Sequence, residues 1–86
     1  MKREYYSNTI VNFIKSTSNE ILSELVKNND FSLEQTQRDA WLIEINILQK
    51  TLVSYTGFIY FEYSIPRMGK RIDVIIITGS TIFILE

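Results

Sequence analysis

The chain has 86 residues, 45% of them hydrophobic and 22% charged, which suits one small globular domain and argues against disorder. It has no Cys and no His, so a thiolate nucleophile, a zinc ribbon and an imidazole base are all excluded, and any catalysis must run on carboxylates, Lys, Tyr or a metal held by oxygen. The net charge of −1 gives no overall attraction for nucleic acid, although a local basic cluster can still contact it.

The longest apolar runs, Val74 to Ile77 and Ile82 to Leu85, are far too short to span a bilayer. No apolar signal-peptide core follows the basic start "MKREYYSNTIVNF". The expectation is a single domain over 1–86, cytoplasmic, with no membrane partner. The one Pro and three Gly all follow Tyr55, so the first two-thirds reads helical and the last third as strands.

Ser7 or Asn8 can cap a first helix, along which Ile10, Phe13, Ile14, Thr17, Ile21 and Leu25 recur at helical spacing until "KNND". Residues 1–35 are therefore an N-terminal helix and a connection, with Phe31 and Leu33 expected to pack inward. A second helix is expected from about Thr36 to about Ser54, with Trp41, Ile45, Leu48 and Leu52 as its central stripe. Ile43 and Ile47 widen the apolar surface and imply cover on more than one side. Gly57 suits the left-handed position that ends a helix.

"FIYFEYSI" is aromatic and β-branched, a strand. "PRMGK" is a turn, "RIDVIIIT" a second strand, "GS" a two-residue type II′ loop and "TIFILE" a third strand. With Gly79 and Ser80 as the loop, Thr78 faces Thr81, and counting outward along both strands brings Asp73 opposite Glu86. Two like charges so placed destabilise a hairpin by roughly 0.2–1 kcal/mol, which a divalent cation would offset. Alternation puts Asp73, Ile75 and Ile77 on one face with Ile82, Ile84 and Glu86, and Val74 and Ile76 on the other with Phe83 and Leu85. A hairpin apolar on both faces needs cover on both: the second helix for one, and the first helix or an element outside the chain for the other.

Each candidate has a plainer alternative. Asp73 can mark a strand end near solvent and Glu86 an exposed final residue. Glu44 flanks the buried stripe of the second helix and can point toward the acid pair, or lie half exposed along the helix edge. Glu62 is a weaker candidate, because the register across "PRMGK" is open. Arg67, Lys70 and Arg71 can contact phosphate or form a solvated turn. The tyrosines Tyr5, Tyr6, Tyr55, Tyr60 and Tyr63 can stack on bases or pack at the core edge.

The segments "QTQRDAWLIEINILQKTL" and "IYFEYSIPRMGKRIDVIIITGSTIFILE" resemble the nuclease-like domain at the N-terminus of some bacterial DNA/RNA helicases with a Schlafen-type helicase region. That domain is similar to the PD-(D/E)xK nuclease superfamily. The resemblance covers about residues 36–86, and "EYSIPRMGKRIDV" is its most specific part. It implies a core of helix, three-stranded meander, helix and further strand. It also implies that Glu44, Asp73 and Glu86 are catalytic carboxylates holding Mg²⁺ or Mn²⁺ for phosphodiester cleavage of DNA or RNA.

Two departures stand out. Ile72 occupies the place of the pattern's Pro, and the pattern's Lys two residues after the acid would fall beyond Glu86. The expectation is thus an α+β fragment, two helices on a three-stranded antiparallel meander: the front half of a nuclease-like domain from a longer helicase-bearing chain. On its own it should cleave little or not at all. The alternative is a non-catalytic module that forms homo-oligomers through its exposed edge strand.

Overall fold

Helix signals in the first half and strand signals in the second produce an α+β fold, but with one more helix and one more strand than expected. The computed structural model describes residues 3–29 and 34–86, so Phe31 and Leu33 lie outside the described residues. The order of elements is β1 (Tyr6–Thr9), α1 (Ile10–Lys15), α2 (Ser18–Asn28), α3 (Gln35–Thr51), β2 (Phe58–Ile65), β3 (Lys70–Thr78) and β4 (Thr81–Leu85). The strands form one antiparallel sheet in the order β1-β2-β3-β4.

The expected first helix is three elements. Ser7 and Asn8 belong to β1, where Tyr6 pairs with Phe61 and Asn8 with Ile59. Thr9 is the true cap, its side chain accepting from the Asn12 amide at 3.2 Å. The helix then breaks at Ser16–Thr17 because Thr17 serves better as a cap than as a stripe residue. Its hydroxyl accepts from the Glu20 amide at 3.1 Å while the Glu20 carboxylate accepts from the Thr17 amide at 2.9 Å, a reciprocal capping box. The apolar spacing survives the break: Ile10 and Phe13 of α1 and Ile21 and Leu25 of α2 are all buried in one core.

Helix α3 ends at Thr51, short of Ser54, and Gly57 does not terminate it. Gly57 has φ +130 and lies against β3, where an added Cβ would collide with the Ile77 carbonyl oxygen. Close backbone approach, not helix capping, requires glycine here.

The two-residue loop is as expected. Gly79 has φ +58 while Ser80 does not take a positive φ, and Thr78 pairs with Thr81, Ile76 with Phe83 and Val74 with Leu85. All three helices pack on the face of the sheet that carries Ile59, Phe61, Val74 and Ile76, which join Trp41, Ile45 and Leu48 of α3 in a single buried cluster. Helices α1 and α2 therefore lie beside α3, and neither covers the opposite face. Among the described residues no helix is long and apolar enough to cross a membrane.

Candidate functional site

Strand β2 carries a break in its alternation. Glu62 adopts the left-handed conformation at φ +56, unusual for a residue with a Cβ. The ladder pairs Phe61 with Val74 and Tyr63 with Ile72, and it skips the facing residues Glu62 and Asp73 between them. The Glu62 carbonyl turns to accept from the Arg71 guanidinium at 2.8 Å. Consecutive side chains on each strand now share a face: Phe61 with Glu62, and Asp73 with Val74. Simple alternation placed Asp73 on the face opposite Val74. The structure corrects this, because the break at Glu62 turns Asp73 toward α3.

The consequence is a small polar cavity of about 260 Å³ between α3 and the β2–β3 ladder, lined by Gln37, Ala40, Trp41, Glu44, Glu62 and Asp73. The Trp41 indole Nε1–H donates to the Glu62 carboxylate at 3.4 Å. Tyr5 packs edge-on against Trp41 with centroids 6.4 Å apart, and the Arg71 guanidinium lies 4.1 Å over the Tyr5 ring. This stack holds Arg71 beside the acids.

Three carboxylates in one half-buried cavity repel one another. Burial pushes the Glu44 carboxyl up to about 7, and the neighbouring charges of Asp73 and Glu62 add to the effect. Burial also raises Glu62; the Trp41 hydrogen bond opposes the rise, Asp73 adds to it and Arg71 opposes it again. Oxygen-only donors of this kind suit Mg²⁺ or Mn²⁺, with Glu44, Glu62 and Asp73 as the side chains able to approach an ion from the cavity walls. Among the described residues no three acidic or other ligating side chains form a ready-made metal-holding group.

The sequence candidates separate accordingly. Glu44 and Asp73 share the cavity, and Glu62, the weaker candidate, joins them. The four-residue turn at 66–69 settles the register that the sequence left open, pairing Ile65 with Lys70. Glu86 follows β4, exposed, at the position next in line after the Val74–Leu85 pair, and it is not among the residues lining the cavity.

The basic residues also divide. Arg67 and Lys70 are exposed on the turn, whereas Arg71 is engaged with Tyr5 and the Glu62 carbonyl. Of the tyrosines, Tyr5 and Tyr6 are buried in the core and Tyr55 is exposed. The sequence left the face of Glu62 open because a left-handed non-glycine residue inside an aromatic strand leaves no compositional mark. No protein-family model, curated protein or solved structure matches the chain.

Proposed function

We propose that the chain carries the carboxylate half of a metal-dependent nuclease-like site of the PD-(D/E)xK kind, acting on DNA or RNA phosphodiesters in the cytoplasm as part of a longer helicase-bearing protein. The supporting observation is the convergence of Glu44 and Asp73, with Glu62, on one cavity where burial, reinforced by the neighbouring acids, raises the Glu44 carboxyl to about 7. A divalent cation removes that repulsion, and when bound it supplies Lewis-acid stabilisation of phosphate charge and an acidified water.

In this reading Glu44 and Asp73 hold the ion and Glu62 orients against Trp41. Glu86, exposed at the adjoining strand end and outside the cavity, is the remaining candidate ligand of this reading. Arg67 and Lys70 meet the phosphate backbone from the turn. In this reading the carboxylates would bind the ion, and efficient cleavage would also need the pattern's Lys.

Calorimetry with Mg²⁺ and Mn²⁺ tests the proposal. Saturable binding that is lost in Asp73→Ala and weakened in Glu44→Ala is the expected result. No binding by the folded wild-type chain would overturn it.

A further inference from the structure

Among the described residues nothing covers the second side of α3. Ala40, Ile43, Ile47 and Leu48 of α3 form, with Leu85 of β4, an open apolar groove of about 410 Å³ that also touches Glu44. Beside it β4 is an edge strand with the sequence "TIFIL", exposed at every residue. Of the eleven exposed large hydrophobic side chains among the described residues, six lie at this edge: Ile43, Ile47, Ile82, Phe83, Ile84 and Leu85, each 41–62% exposed. The strand has no Lys, Pro or bulge to discourage pairing, and among the described residues no strand lies beside its outer row of backbone N–H and C=O groups.

We infer that this edge pairs with β4 of a second copy of the chain, the strands antiparallel about a twofold axis through Phe83. Three observations favour a second copy over a different partner. First, the strand is self-complementary. With Phe83 opposite Phe83 of the partner, Ile82 falls opposite Ile84 and Thr81 opposite Leu85. Directly opposed residues then share a face, which keeps both helical layers on the same side of an eight-stranded sheet. Second, the charges are compatible, since this register sets each Glu86 opposite Ser80 and never opposite another acid. Third, the area suffices. Six side chains 41–62% exposed form one contiguous apolar surface, mostly of Ile and Leu. With the paired backbone of β4 added, this surface is of the kind that a stable interface of about 800 Å² per partner needs.

The pairing also brings the Ile43 and Ile47 faces of the two α3 helices toward each other across the axis and closes the groove. It is independent of metal binding and of nuclease activity.

The chain has no native cysteine, so single cysteines report the contact directly. Under mild oxidation Phe83→Cys should give a disulfide-linked dimer, while Ile75→Cys, on the opposite sheet face, should form no disulfide cross-link. Sedimentation should show a dimer for the unmodified chain, and Phe83→Lys should weaken it by about tenfold or more because two ammonium groups then oppose each other. Circular dichroism and denaturation of Phe83→Lys establish that it folds. A folded wild-type monomer at high concentration overturns the inference and assigns the edge to another partner or segment. Dimers that cross-link through Ile75→Cys and not through Phe83→Cys overturn it in favour of packing between the open sheet faces.

Discussion

Tyr60 and Tyr63 stack edge-on, ring centroids 6.1 Å apart, although they lie three positions apart along β2. In a regular strand they would point to opposite faces. They share the open face because Glu62 between them is left-handed, and the same departure turns Glu62 and Asp73 inward beneath α3. One backbone conformation therefore builds an aromatic pair on one side of the sheet and an acidic cavity on the other.

This conformation should be measurable as strain. A non-glycine residue held at positive φ costs of order 1–3 kcal/mol. Glu62→Gly should therefore keep the stability or raise it, since it relieves both the backbone and the repulsion in the cavity. Glu62→Val should lower it by about 2 kcal/mol, because a β-branched residue resists that conformation. Urea denaturation of the two variants separates these outcomes, and equal destabilisation by both would refute the strain.

The raised Glu44 carboxyl makes stability depend on pH in a defined direction. Its folded value of about 7 exceeds the ordinary 4.5, so across that window the folded state holds a proton that the unfolded chain has lost. Stability therefore falls as pH rises from about 4.5 to about 7 and is constant with respect to this group above that. The loss is about 2 kcal/mol once solvent screening of a half-buried group is allowed for. Denaturation of wild type and Glu44→Gln across this range isolates the effect: the difference between them should grow with pH, in favour of the variant.

Gly57→Ala should destabilise by about 3 kcal/mol or more, since it combines a forbidden φ with a clash against the Ile77 carbonyl. The damage should be local to the start of β2. Hydrogen exchange of the Ile10 amide, which donates to the Gly57 carbonyl at 2.9 Å, should quicken beyond that of the α2 amides.

Gln49 joins the two halves of the helical layer. Its side-chain amide donates to the carbonyls of Phe13 and Ser16, both at 2.8 Å, and so closes the end of α1 from α3. Gln49→Ala leaves both acceptors unpaired by protein and should cost about 1–2 kcal/mol by chemical denaturation.

The sequence by itself determined the α+β class, the hairpin register and most of the core. These depend on local rules: the 3.6-residue spacing of Trp41, Ile45 and Leu48, the β-branched run of β3, and a two-residue loop with Gly first that fixes which residues oppose. The capping box at Thr17–Glu20 was missed, because the apolar spacing of Ile21 and Leu25 reads through Thr17 as one helix when α1 and α2 bury the same face. Tertiary structure decided what no local rule contains. Tyr6–Thr9 became a strand because β2 offered an unpaired edge, a contact between residues about fifty positions apart. Glu62 entered the site because packing of Phe61, Trp41 and Arg71 around it stabilises a backbone conformation that its own residue type disfavours. Asp73 faced α3 and not the open side for the same reason, since a strand's alternation holds only until its neighbour's backbone departs from it.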